Sequence, residues 1–306
     1  MAVAIGIVGG GLMGAGIATK FALAGFPTMT IETDRERLAN VKHVAAEVLS
    51  ELIAAEQITD AQRQSALEHM QVSAELESLS HVRIVIEAIP EVLTAKHELY
   101  DTLEQIVEFD ALIASNTSGF PPDLLSEKMQ WRRRFLIAHF WNPPHQIPLV
   151  EVVPGTDTDP AVVTEIVDRL TEIRAEPVVL NAAIPGFIGN RLQFAVLREA
   201  LHIVQMGVAS PETVDAVMKA SLGRRYSIVG PFEGADLGGL ETFLKIASHL
   251  MPELASDQRS LEVLREHVDK GEVGIRSGKG FYEWNEARIA RIKRLRREQL
   301  RSRRTD

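Results

Sequence analysis

The chain has 306 residues, 45% of them apolar and 25% charged, a balance that suits one large or two ordinary folded domains and excludes disorder as the main theme. It has no cysteine, which excludes disulfides, thiolate nucleophiles and cysteine-held zinc or iron–sulfur centres. The formal net charge of −9 is uneven: nine basic against three acidic residues from Asn285 onward leave the rest strongly acidic, a poor surface for nucleic-acid phosphates.

In chain order, Val3–Val8 reads as a buried parallel strand, and the chain enters it with no signal-peptide pattern. A glycine-rich turn and a helical stretch, Ile17–Ala24, follow. Thr28–Glu32 is a second strand. Residues 35–70 read as a helical hairpin broken near Gln57-Ile58-Thr59-Asp60, with Thr59 as N-cap of its second arm. Val82–Ala88 is a third strand and Thr94–Val107 a helix. Ala111–Ser115, Phe135–His139, Leu149–Val153 and Val178–Leu180 complete seven strands. Strands alternating with helices predict an α/β fold with a mostly parallel sheet covered on both faces. Beyond Ile184-Pro185-Gly186 only helices are expected, over Phe187–Met206, Pro211–Leu222 and Leu240–Leu250, with breaks at Gly230-Pro231 and Gly234–Gly239. The expected organisation is a sheet domain over 1–184, a helical domain over 185–284 and a basic tail over 285–306. No stretch approaches the roughly 18 apolar residues of a membrane helix, so no membrane is expected as a partner, and the acidic body makes a nucleic acid an unexpected one.

Gly9-Gly10-Gly11-Leu12-Met13-Gly14 matches the pattern G-x-G-x-x-G between a strand and a helix. Gly9 permits the tight turn, Gly11 lets the backbone approach a pyrophosphate, and Gly14 lets the helix pack on the sheet. The helix N-terminus then offers free N–H groups to phosphates. Glu32 ends the next strand, 18 residues after Gly14, where a carboxylate accepts from a ribose 2′-hydroxyl and repels a 2′-phosphate. This context predicts a Rossmann-type domain that binds NAD rather than NADP, with Arg35 nearby as the one contrary charge. Further on, Ser118 and His139 sit at the carboxyl ends of strands and Glu151 within a strand. The pattern brings a hydroxyl, an imidazole and a carboxylate to one sheet, where ligands bind beyond the carboxyl ends of strands.

With these motifs in place the sequence resembles the L-3-hydroxyacyl-CoA dehydrogenase family. The resemblance extends through Glu87-Ala88, Glu91 and Lys96, Ser115–Ser118, His139 with Asn142-Pro143, Leu149–Val153, Pro185–Ile188 with Asn190-Arg191, Gly230–Glu233 and Gly278–Tyr282. It implies that His139 is the general base for a hydroxyl proton and that Glu151 fixes its tautomer. Ser118 and Asn190 would hold the substrate oxygen. Gly9, Gly11, Leu12, Met13, Gly14, Glu32, Ala88, Glu91, Lys96, Asn116 and Asn142 would line the cofactor site. It also implies a homodimer formed through the helical domain; the cysteine-free sequence fits a reducing, cytoplasmic compartment, and no metal is expected. The other histidines read as structural, except His145, which stands close enough to the site to be a substrate contact.

The chain departs from the CoA-using pattern in places. From His43 to Val82 its only Lys or Arg is Arg63, against seven carboxylates, which disfavours the phosphates of CoA. Trp141-Asn142-Pro143-Pro144-His145 is similar to relatives acting on free hydroxy acids, such as those for gulonate, carnitine or hydroxymethyl-pyridine carboxylates. Arg225 is then a candidate clamp for a substrate carboxylate. The expected activity is reversible oxidation of a small anionic hydroxy compound. A 3-hydroxyacyl-CoA ester is the alternative, and a non-catalytic crystallin-like protein a further one. The tail from Arg288 to Arg304 reads as an amphipathic helix, docked on the acidic body or on a dimer mate, with an anionic partner as the other reading.

Overall fold

The computed structural model describes residues 4–256 and 262–302 and forms two compact units: residues up to Phe187 with those from Lys293 on, and Ile188–Ile292. The first unit runs β1 (Ile5–Val8), α1 (Leu12–Leu23), β2 (Thr28–Ile31), α2 (Leu38–Ala54), α3 (Asp60–His69), β3 (Met70–Ser73), β4 (Ile84–Glu87), α4 (Leu93–Ile106), β5 (Leu112–Ser115), α5 (Pro122–Leu125), β6 (Phe135–Phe140), β7 (Leu149–Pro154), α6 (Pro160–Glu172) and β8 (Glu176–Val179). The sheet order is β3-β2-β1-β4-β5-β6-β7-β8, parallel throughout except for the antiparallel β6–β7 pair.

Each buried strand alternates between two apolar layers, as a period of two requires. Ile5, Ile7, Ile84, Ile86, Leu112, Ala114, Leu136 and Ala138 pack on one face with Ile17 and Phe21 of α1 and Ile166 and Leu170 of α6. Val8, Val85, Ile113, Phe135, Ile137 and Val153 pack on the other face with Tyr100 and Leu103 of α4. The same alternation puts Glu87, Ser115, His139 and Glu151 on the α4 face. The hairpin α2–α3 lays Val41, Val44, Val48 and Leu52 against Ala15 of α1. Thr59 caps α3 by accepting from Gln62 N at 3.3 Å, and Gln62 Oε1 accepts from Thr59 N at 2.9 Å, a reciprocal capping box.

Four expectations need correction. An eighth strand, β3, follows α3 where the hairpin was expected simply to end; it is a four-residue edge strand with one buried residue, too short to show a period. Helix α6 was not singled out, although Asp159 caps it by accepting from Ala161 N at 2.9 Å. The last strand ends at Val179 rather than Leu180, and Val178 and Val179 are exposed on the sheet edge. The stretch 234–239, read as a break, lies largely in a helix that starts at Pro231 and is closed at its N-terminus by Glu233 Oε2, which accepts from Gly230 N at 2.9 Å.

The second unit is helical: α7 (Gly189–Gln205), α8 (Pro211–Ala220), α9 (Leu222–Arg225), α10 (Pro231–Gly238), α11 (Leu240–Leu250), α12 (Glu262–Asp269) and the start of α13 (Glu286–Ser302). Its described residues contain no strand, only isolated bridges at Gly274–Lys279 and Lys279–Glu283. The last turn of α13 docks on the hairpin, as the tail reading anticipated. Leu300 is buried, its carbonyl accepts from Gln57 Nε2 at 2.8 Å, and Arg301 donates to Ala54 O at 3.0 Å and pairs with Glu56 at 3.0 Å. A cation on the last carbonyl of α2 opposes the negative end of that helix.

Candidate active site

A cleft of about 1010 Å³ opens beyond the ends of β1, β2 and β4, lined by Gly9, Gly10, Gly11, Leu12, Met13, Glu32, Asp34, Arg37 and Ala88 among others. Gly9 has φ +106°, a conformation that an L side chain rarely adopts. A Cβ on Gly14 would lie 1.9 Å from Gly9 O, so only glycine allows the turn to close on the helix. A Cβ on Gly11 would meet nothing within 4 Å, which leaves its face open for a phosphate to approach. Gly11 is the N-cap of α1 and makes no side-chain cap, so the first N–H groups of the helix remain available to an anion. Glu32 Oε2 accepts from Gly10 N and Oε1 from Asp34 N, both at 3.1 Å, which presents its carboxylate in the cleft. Arg37, paired with Asp34 at 3.1 Å, is the arginine on this wall; Arg35 pairs instead with Glu75 at 3.7 Å. These residues fit a dinucleotide with a free 2′-hydroxyl.

Behind the cleft lies a buried network that the sequence did not disclose. Glu87, fully buried, accepts from Lys96 Nζ, Tyr100 Oη and Ser115 Oγ, each at 2.6 Å, and from Ile89 N at 2.8 Å. Burial and then the Glu87 charge push the Tyr100 hydroxyl far above its ordinary range, so it stays a neutral donor. Lys96 also pairs with Glu91 at 3.3 Å, and Glu91 accepts from Thr117 Oγ1. Lys96 is 1% exposed, so it acts from beneath the cleft wall rather than on it. Asn116 Oδ1 accepts from Phe140 N at 2.8 Å, tying the end of β5 to the residue after His139. Ser118 is exposed in the loop after β5, and Asn142 is exposed in the loop after β6.

His139 and Glu151 are directly opposed in the antiparallel β6–β7 ladder, so their side chains share a face. His139 Nδ1 meets Glu151 Oε2 at 3.0 Å, with Glu151 1% and His139 7% exposed. A buried carboxylate on Nδ1 holds the proton there, leaves Nε2 as the basic nitrogen, and stabilises the imidazolium once it forms. Trp141 Nε1 donates to the same Glu151 oxygen at 3.3 Å. Phe187, fully buried with φ +50°, packs its ring 5.5 Å from the imidazole. The motifs that contain these two aromatics do not mark either as a neighbour of the pair; the signal for Trp141 is its place two residues after His139, on the same side of the chain.

His145, the possible substrate contact, engages the hairpin instead: its Nε2 lies 2.9 Å from Glu51 Oε2, and burial lowers its pKa below the ordinary value. Asn190 is the second residue of α7, whose N-cap is Ile188, so it does not serve as the cap. Arg225 ends α9 and is exposed. Both belong to the second unit. Among the described residues no helix is long and apolar enough to cross a membrane.

The sequence model for the 3-hydroxyacyl-CoA dehydrogenase NAD-binding domain matches residues 4–183, and that for the C-terminal domain matches residues 186–284. A 5-formyl-3-hydroxy-2-methylpyridine 4-carboxylate 5-dehydrogenase of Mesorhizobium japonicum is 30% identical over 282 residues, covering 91% of this chain and 89% of that one. A probable 3-hydroxybutyryl-CoA dehydrogenase of Deinococcus radiodurans is 34% identical over 280 residues, covering 91% and 99%. A solved structure of a 5-dehydrogenase for the same pyridine carboxylate, described as an NAD+-dependent dismutase, superposes with a TM-score of 0.89 at 27% identity, covering 99% of this chain and 98% of that one.

Proposed function

Given that this chain belongs to the 3-hydroxyacyl-CoA dehydrogenase family and is an NAD-dependent oxidoreductase, we propose that it interconverts hydroxyl and carbonyl on a small anionic hydroxy compound, with His139 as its general base. The observation that carries the reading is the buried His139–Glu151 pair. His139 Nε2 takes the hydroxyl proton, and the imidazolium formed is stabilised by Glu151; in the reverse direction it returns that proton to the carbonyl oxygen. NAD, when bound, accepts the two electrons with the carbon-bound hydrogen. Gly9, Gly11, Leu12, Met13, Gly14, Glu32 and Ala88 hold the cofactor. Glu91, Lys96, Asn116 and Asn142 belong to the same site in this reading, Lys96 and Asn116 acting by fixing Glu91 and the end of β6. Ser118 and Asn190 orient the substrate oxygen.

The substrate class rests on the hairpin's charge: between His43 and Val82 it offers Arg63 as its only Lys or Arg. Arg225 supplies a guanidinium for the substrate carboxylate. The pyridine carboxylate named for the Mesorhizobium relative has this chemistry. A CoA ester is the second reading, favoured by the Deinococcus relative and by the fact that Glu51 and Glu56 are already paired with the chain's own His145 and Arg301. The second unit supports a homodimer. Among its described residues only Leu201 and Ala255 are buried apolar, while Ile228, Phe232 and Leu237 are 84%, 86% and 79% exposed. A cytoplasmic location accords with a cysteine-free chain.

The test is NADH formation followed at 340 nm, with NAD and either 3-hydroxybutyryl-CoA or free hydroxy acids including gulonate, carnitine and 3-hydroxybutyrate. Turnover of a free acid, with KM raised by Arg225→Ala and kcat lowered about 10²-fold or more by His139→Ala, is expected. Turnover of the CoA ester alone overturns the substrate class. Full activity in His139→Ala overturns the base.

A further inference from the structure

A catalytic histidine is as basic as its carboxylate partner makes it, and a carboxylate is weakened as a partner by every other donor it accepts from. Trp141 is such a donor. It lies one residue beyond β6, two after His139, so both side chains fall on the face that Glu151 shares. In the antiparallel register His139 is opposite Glu151, which makes Trp141 its diagonal neighbour, within reach of a long aromatic side chain. Trp141 Nε1 meets Glu151 Oε2 at 3.3 Å, the very oxygen that His139 Nδ1 meets at 3.0 Å. The indole and imidazole centroids are 6.1 Å apart and their planes tilted by 53°, so the two rings approach the carboxylate without stacking on each other. An indole N–H can only donate. Unlike a hydroxyl or an imidazole it cannot reverse its role when the proton moves, and it therefore favours Glu151 in its charged form whatever the state of His139.

We infer that Trp141 is a positioning residue of the His139–Glu151 pair. By donating to the shared oxygen it pins the carboxylate beneath the imidazole and draws part of its negative charge away from it. This rests on the reading of His139 as the base. The direction of the effect follows: without the indole donor more of the Glu151 charge is left to His139, the imidazolium is stabilised, and more alkaline pH is needed to free Nε2. Trp141 thus keeps the base unprotonated to lower pH, which favours the oxidation direction. A phenylalanine at this position would keep the ring and lose the donor.

The experiment uses the full chain with NAD and needs no substrate. The His139 Cε1–H resonance, assigned by its loss in His139→Gln, is titrated by NMR in the unmodified chain and in Trp141→Phe. The expected result is a midpoint about half to one pH unit higher in Trp141→Phe. An unmoved midpoint overturns the inference, because a residue that only packs would change stability and leave the midpoint in place. A second reading uses the unmodified chain alone. It has three tryptophans, so the Trp141 indole N–H resonance is readily resolved, and it should titrate with the His139 midpoint. An indole resonance that stays flat through that midpoint also overturns the inference. Failure of the proposed base is seen separately, as undiminished turnover in His139→Ala.

Discussion

Replacing Lys96 by methionine tests whether the pair behind the cofactor cleft is a structural necessity of this fold. Methionine matches the length of the lysine stem but carries no charge. Lys96 is 1% and Glu87 0% exposed, their charged atoms are 2.6 Å apart, and no solvent reaches the carboxylate to replace the lost ammonium. Removing one partner of such a pair costs about 3–5 kcal/mol, because the other charge is left uncompensated. Glu87 would retain Tyr100 Oη, Ser115 Oγ and Ile89 N as donors, which places the expected loss near the lower end, about 3 kcal/mol. For a chain of this size that lowers the thermal midpoint by roughly 6–12 °C. The assay is thermal and urea unfolding of Lys96→Met beside the double variant Glu87→Gln/Lys96→Met. With both charges removed the penalty of a lone buried anion disappears, so the double variant should recover at least about 1 kcal/mol. A double variant no more stable than Lys96→Met would refute the reasoning, since the loss would then come from packing and not from an orphaned carboxylate.

Two further predictions concern the glycine loop and pH. Gly11→Ala should change the unfolding free energy by no more than about 0.5 kcal/mol, because the added Cβ meets nothing within 4 Å, yet weaken NAD binding about tenfold or more by filling the phosphate approach. Gly14→Ala, whose Cβ would fall 1.9 Å from Gly9 O, should lose both stability and binding; calorimetric NAD titration with urea unfolding separates the two. Burial lowers the pKa of His145, so the unfolded chain binds this proton more readily than the folded one. Its contribution to stability is therefore complete above the unfolded histidine value of about 6.5 and is lost as pH falls from there toward the depressed folded value. His145→Gln should flatten the decline in urea midpoint between about pH 7.5 and 5.5, and an unchanged decline would show that other groups cause it.

Much of the sheet was legible because a buried strand leaves a short apolar run and a dinucleotide loop leaves a glycine spacing, both local patterns. Thr59 was legible as a cap for the same reason, since its partner Gln62 lies three residues away. The strand β3 was not, because four residues at a sheet edge with one side chain buried carry no period. Nor was α10, where Gly234, Gly238 and Gly239 suggest breaks, while the helix is started by Pro231 and Glu233.

The sequence by itself determined the candidate chemistry: a glycine turn before a helix, an acid at the end of the next strand, and the set Ser118, His139 and Glu151 at successive strands. The tertiary structure alone decided how those groups are wired. Glu87, Lys96, Tyr100 and Ser115 are up to 28 residues apart, and only the pairing of β4 with β5 under α4 gathers them. His145 reads as near the site along the chain, yet folding turns it to Glu51, 94 residues earlier, because the loop after β6 runs back toward the hairpin. The reversal of β7 is the deciding feature. A strand parallel to β6 would set its carboxylate in a different register, whereas the antiparallel ladder places Glu151 directly across from His139 and lets Trp141 reach the same oxygen. Strand direction is a property of how segments distant in the chain come together, and no local pattern of residues encodes it.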